Sequence, residues 1–451
     1  MINRFIKTIG VSALALLTSK KSGLASTVQT LVRTILILLI NFGTGIITAR
    51  YLGPSGRGEQ AAMIIWPQMF AFSFSLGLGG ALLYRIKSNP EQAPQLVTAA
   101  GILGVLAGGI AALVGATLIP HWLSGYSHHI IVFAQWAMLA SPLIGYVHMS
   151  MATFQAAGRF RLFNGMLLLS PVLTLFGLFI LITTDHFTPR ASALAYLMPT
   201  VPVFLFCLIA SAWLYKPKRD FNRNHIMSLL SYGMRIWATD LLSTLSDQLE
   251  RAILVGFLSP STLGLYVVAQ SMTIPLNAVN ASTITVLFPT SIGRSVEQIS
   301  NLVGLAIRVN LAITLFGALM LTILSAPLLS LFYGHEFDPG LGAIYILIFV
   351  PVLNAINMPA LQLFFAIGRP GIVAILQGLA LVFFIPMVLL LVPKFGIEGA
   401  ATAWLLSAAL RVIAVYCCFP LVLRIPPPWP ILKKADLIEV AAKIRYISQA
   451  S

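Results

Sequence analysis

Charge is what this sequence has least of. Asp, Glu, Lys and Arg make up 9% of its 451 residues, against 58% hydrophobic residues and a mean hydropathy of +0.91. Soluble domains carry roughly 25% charged residues. A surface this poor in charge aggregates in water, which excludes a soluble enzyme or binding module and points to a chain solvated by lipid. Acids are the scarcer sign, 13 against 28 basic residues, so the net charge is +15. That excess suits nucleic acid only where a basic patch lies on a water-exposed domain. No hydrophilic segment here is long enough to form one, so nucleic acid is not an expected partner. Basic residues flanking apolar runs instead fit orientation and anionic headgroups.

Cysteine is also nearly absent. Cys207, Cys417 and Cys418 lie in apolar runs, where cysteine behaves as a small hydrophobe, and they form no disulfide or metal-ligand spacing. His121, His128 and His129 share a short loop with no carboxylate or cysteine beside them, which favours interfacial packing over metal binding. No cofactor or metal is expected. A signal peptide is excluded too, because Lys20 and Lys21 stand where a small-residue cleavage site belongs. Residues 1–23 are read instead as a cytoplasmic interfacial helix, with Ile2, Phe5, Ile6 and Ile9 at helical spacing.

Apolar length is abundant. A helix spans the hydrocarbon with about 20 residues, and that ruler gives about twelve spans. They lie near 25–49, 60–83, 96–118, 130–153, 163–184, 191–214, 230–257, 263–288, 301–325, 341–366, 371–392 and 397–421. Of the lysines and arginines outside the spans, most fall at one set of ends, Arg85, Lys87, Arg159 and Arg161 among them. Only Arg50, Arg57, Arg190 and Lys394 fall at the other. This bias places both termini in the cytoplasm. The expected organisation is a first lobe over 24–215, a cytoplasmic linker at 216–229, a second lobe over 230–422, and a tail over 423–451. The tail opens on "PPPWP", favours an extended backbone, and then lies along the inner leaflet or docks a partner.

"LGPSGRGEQAA" at 52–62 has the glycines of a phosphate loop but lacks its Lys-Ser/Thr ending and its preceding strand. It has a closer counterpart within the chain. "LSPSTLGLYVVA" at 258–269 repeats its Leu, Pro, Ser and Gly at a shift of about 206 positions. "FQAAGR" at 154–159 and "FFAIGR" at 364–369 repeat at nearly the same shift, as do the stretches at 187–196 and 395–404. Two halves with even span counts face the same way, so this is a parallel repeat about an axis along the membrane normal, a layout of alternating-access transporters. The glycine-rich stretch is then the outer turn between the first two spans. Pro67 and Pro275 occupy equivalent places in the repeat and are candidates for hinges or for static kinks.

The junction "ARYLGPSGRGE", the Trp66–Pro67 pair, the "GRF" at 158–160 and "SDQLERAILVGFLSPSTLGLYVVA" at 246–269 resemble bacterial lipid-linked oligosaccharide flippases. These form the polysaccharide-transporter branch of the multidrug/oligosaccharidyl-lipid/polysaccharide (MOP) exporter superfamily. The likeness runs from about residue 20 to residue 420. It implies an all-α polytopic membrane protein with two six-helix lobes in a V, as in MATE transporters. It implies an undecaprenyl-diphosphate-linked sugar repeat crossing the bacterial inner membrane, coupling to Na+ or H+ or to the membrane potential, and work beside a polysaccharide polymerase and chain-length machinery.

Charges within spans are costly and line cavities or pair with one another. They are Arg33, Arg235, Asp240, Asp247, Glu250, Arg251, Arg308 and Arg411. Asp240, Asp247 and Arg251 share a helical face, with Glu250 on the neighbouring strip. The set is either a polar seam that touches the headgroup and exchanges a cation, or a network that keeps the lobes in register. Asp247 also matches the D-x-L element usual in the resembled branch. Arg33 has no acid at its depth in the first half. Its long stem either reaches the inner headgroups or grips a phosphate inside the cavity. Arg57 is either an exposed charge at the outer mouth or an anion contact there. A first half with basic and neutral groups at depth suits a diphosphate lipid and repels a lipophilic cation. The competing readings are a cation-coupled multidrug antiporter and a polysaccharide polymerase or ligase. The last is disfavoured because no large outer loop exists to hold catalytic groups.

Overall fold

The computed structural model describes residues 23–216, 222–291 and 294–431. The described residues are helical throughout, with no strand among them. The first lobe runs α1 (Gly23–Ser73), α2 (Leu78–Ser88), α3 (Ala93–Trp122), α4 (His128–Ala137), α5 (Ala140–Ala156), α6 (Phe160–Thr183), α7 (Pro189–Leu197) and α8 (Thr200–Tyr215). The second runs α9 (Arg223–Phe257), α10 (Pro260–Met272), α11 (Ile274–Ser291), α12 (Val296–Phe332), α13 (Leu341–Leu347), α14 (Phe349–Ala366) and α15 (Pro370–Cys418). Among the described residues, eight helical runs are long and apolar enough to cross a membrane. Two of them each hold two arms, because Gly53 breaks α1 and Gly396 breaks α15 with non-helical backbone angles. The chain is a multi-pass membrane protein.

Several expected spans are broken into two pieces, and proline chemistry accounts for most of the breaks. A proline has no N–H for the carbonyl four residues earlier and crowds it. Pro142, Pro202 and Pro351 stand four residues beyond Met138 and Met198, which follow the last residues of α4 and α7, and Leu347, the last residue of α13. The second expected span breaks elsewhere. Its helix passes Pro67 without interruption and leaves helical geometry at 74–77, where Leu76 and Gly77 have positive φ. Pro275 falls in the first turn of α11, just after the break at Thr273. The two repeat-equivalent prolines therefore sit in different local settings. α9 begins at Arg223, inside the stretch expected as linker, because Asn222 caps it: its Oδ1 accepts from the amides of Asn224 and His225 at 3.0 and 3.2 Å. Residues 1–22 and 432–451, which hold most of the expected interfacial segment and tail, lie outside the described residues.

The hydrophobic core differs between the two ends of the molecule. Away from the basic end, one cluster joins both lobes, from Trp66 and Tyr126 through Leu254 and Tyr266 to Phe337 and Phe384. Toward the basic end there are two clusters. One contains Leu82, Leu96 and Phe154; the other contains Val303, Phe364 and Phe419. The lobes are thus fused at one end and have distinct cores at the other, where α9 adds Leu229 to the first lobe's cluster, the cross-section of a V.

Candidate functional site

The fused end is built on the internal repeat. Gly53 takes φ 63°, which turns the chain, and Pro54 starts the second arm of α1. That arm packs against α10, which starts at the equivalent proline, Pro260. The approach is reciprocal. A Cβ on Gly58 would stand 1.7 Å from the Pro260 carbonyl oxygen, and one on Gly264 would stand 1.8 Å from that of Pro54. Only glycine permits this crossing, and the same residue in each half supplies it. Further bonds cross the seam. The Arg50 guanidinium donates to the carbonyls of Leu331 and, at 2.9 Å, Phe332 at the end of α12. The Tyr126 hydroxyl donates to the Leu258 carbonyl at 3.2 Å. Arg50 is therefore engaged at the mouth as a helix C-terminal cap.

At the basic end the lobes touch along one line, α9 against α1 and α2. Trp237 Nε1 donates to the Ser73 carbonyl at 2.8 Å, and Tyr84 stacks on Tyr232 with ring centroids 4.3 Å apart. The Arg85 guanidinium lies 6.0 and 5.9 Å from those two rings, within cation–π range.

Between these contacts is a cavity of about 220 Å³ walled by both lobes. Arg57, Ile64 and Gln68 come from α1; Arg251 comes from α9 and Tyr266 and Gln270 from α10. Two predicted substrate contacts, Arg57 and Arg251, thus meet in one cavity. Arg57 is 8% exposed. One Nη donates to Gln60 Oε1, and Gln60 in turn donates to Ser192 Oγ at 2.8 Å. Its Nε is buried without a hydrogen-bond partner. Arginine stays protonated at any physiological pH, so a full positive charge lies here with part of its donor set idle. Neither arginine has a carboxylate partner among the described residues.

A second cavity, of about 610 Å³, lies within the first lobe between α1, α2, α5, α6, α7 and α8. Ile64 and Gln68 border both cavities, so they share a wall. Pro67 lines the larger one, and among the described residues no carboxylate lines either.

The other predicted residues are placed as follows. Arg33 lines neither of these cavities; its Nη1 donates to Asn164 Oδ1 on α6. The side chains of Asp240, Asp247 and Glu250 lie outside the described residues, and Pro275 is exposed. Asn280 and Asn310 are consumed by packing. Asn310 Nδ2 donates to Asn280 Oδ1 at 3.0 Å, and Asn280 Nδ2 donates to the Pro351 carbonyl at 2.9 Å. Sequence reasoning passed over His148, Ser170, Tyr196 and Thr200, which line the larger cavity. Each sits in an apolar run with no charge to mark it, although His148 is the one histidine deep in an expected span.

A family profile described as polysaccharide biosynthesis protein matches residues 47–341. The chain belongs to that family. By sequence, no curated protein matches it. Solved structures do. The lipid II flippase MurJ in an inward closed conformation is similar with TM-score 0.74 and 16% identity, over 88% of this chain and 87% of that one. An inward-facing multidrug resistance MATE family transporter of the MOP superfamily follows with TM-score 0.69 and 17% identity, over 92% and 99%. A MOP superfamily transporter from Pyrococcus furiosus, described as having a binding pocket of reverse polarity, gives TM-score 0.60 and 16% identity over 87% and 92%. The fold is therefore the one shared by MurJ and the MATE transporters.

Proposed function

We propose that this protein is a flippase that moves undecaprenyl-diphosphate-linked oligosaccharide repeats from the inner to the outer leaflet of a bacterial inner membrane. The route is alternating access of two six-helix lobes, twelve spans in all, with both termini cytoplasmic. The product feeds exopolysaccharide, capsule or O-antigen assembly by a polymerase and its chain-length partners. The observation that supports this reading is the meeting of Arg57 and Arg251, one from each lobe, in a cavity with no carboxylate among its described lining residues. A buried, incompletely bonded guanidinium is costly in low dielectric, and a diphosphate offsets that cost with bidentate, charge-assisted bonds. Because the two cations sit on opposite lobes, an anion held by both favours the state in which the lobes are close. Asp240, Asp247 and Glu250 are proposed as the coupling-ion or register network, Arg33 as an inner-side phosphate contact, and Pro67 and Pro275 as hinges.

The test is complementation of a deletion strain. Arg57→Ala and Arg251→Ala are expected to abolish surface polysaccharide while the protein still inserts, and Arg57→Lys is expected to restore part of it. Normal polysaccharide from both alanine variants would remove the anion site. The second reading, a cation-coupled multidrug antiporter, requires carboxylates near a bound cation. Dye resistance conferred on a sensitive strain would favour it.

A further inference from the structure

The two adjoining cavities differ in kind. The smaller holds two guanidinium groups; the larger has no carboxylate, lysine or arginine among its described lining residues. Its polar groups are Gln68, His148, Gln155, Ser170, Tyr196 and Thr200. Among the described residues, none of these makes a side-chain hydrogen bond to another residue. Thr48, Ser73 and Thr98, by contrast, bond to carbonyls one turn earlier. Gln68 and His148 are exposed and the other four half-buried, so all six are open to the cavity and its wall is able to pair with a polar occupant.

The chemistry of the six narrows that occupant. Amides and hydroxyls each donate and accept, and imidazole does both in its neutral form. Sugar hydroxyls demand the same pairing. Phe72 and Phe163 add aromatic surface, with His148 edge-on to Phe72 at 4.6 Å. An apolar and aromatic pocket with a few convergent polar groups is the usual form of a small-molecule site. A carboxylated sugar would be desolvated here without a cation to meet it.

We infer that the larger cavity is a saccharide subsite. It takes the sugars joined to the diphosphate, Gln68 sits at the passage from the arginines, and the cavity selects an uncharged sugar in the position next to the diphosphate. The inference rests on the flippase reading, and its test separates the two. Lipid-linked saccharides are extracted from source cells that lack the gene. These lipids and bare undecaprenyl diphosphate are titrated onto the full-length protein in nanodiscs and followed by native mass spectrometry. The wild type is expected to prefer the saccharide lipid about tenfold or more, since several hydrogen bonds distinguish the two. His148→Leu with Gln155→Leu is expected to bring that ratio close to one while binding of the bare lipid stays within about twofold. Ser170→Ala with Thr200→Val, a milder pair, is expected to narrow the ratio about threefold and stands in if the leucine pair misfolds. Arg57→Ala is expected to weaken both lipids. An unchanged preference in both double variants overturns the saccharide subsite and leaves the flippase reading intact, as does a uronic acid at the first sugar of the extracted lipid. A wild type that binds neither lipid overturns both.

Discussion

Arg57 and the glycine one position beyond it do opposite jobs within a single turn. Arg57 brings an incompletely bonded charge to the cavity between the lobes; Gly58 removes a side chain so that the lobes meet above it. The cost of adding a Cβ there falls only on the state in which α1 and α10 touch. Gly58→Ala places that carbon against backbone, not against a flexible side chain, and overpacking of this kind costs about 1–3 kcal/mol. The equilibrium between joined and separated outer ends is expected to move about 5–150-fold toward separation. A cysteine at Ala61, which lines the cavity, reports the shift as faster labelling by a membrane-impermeant maleimide from outside. Gly264→Ala is expected to act alike, and unaltered labelling in both variants would disprove the gate. The motif was visible in the sequence as a repeat, but its role was not. A repeat shows equivalence, and only the fold shows that the equivalent residues touch. The same holds for Arg57 and Arg251, chosen on charge and separated by most of the first lobe in sequence.

Single elements carry the seam between those residues. α12 ends with free carbonyls, and Arg50 supplies donors to two of them from the opposite lobe. A cation at a helix C-terminus contributes about 0.3–1 kcal/mol. Arg50→Ala is therefore expected to lower thermal stability in detergent modestly, by about that free energy, with Arg50→Lys recovering part of it. A variant as stable as the wild type would show that the contact contributes nothing. The apolar runs revealed the helices themselves well, because length and hydropathy suffice for that. The interruptions within them were also written in the chain, as Pro142, Pro202 and Pro351, yet a search for unbroken runs of apolar residues reads through proline. The break at 74–77 carries a different signal. Leu76 takes a left-handed backbone, a choice no local preference predicts, and its reason lies in contact between α9 and the first lobe.

Across the whole molecule, one fused core and two distinct cores set the two ends apart. At the basic end Tyr84 and Arg85 meet Tyr232 in a line that ties α2 to α9, beside the bond from Arg85 to the Ser228 carbonyl, and a transporter that alternates must release and remake such a line. Cysteines replacing Tyr84 and Tyr232, joined by a cleavable bis-maleimide, are expected to stop polysaccharide export and to restore it on cleavage. Export that continues through the cross-link would mean that this line is a fixed strut. The reciprocal meeting of Gly58 and Gly264 has a consequence of its own. Matching segments facing one another across an axis are what two copies of a half-length ancestor would make on pairing. The present chain keeps that handshake inside one polypeptide, so drift in either half is answerable to its twin.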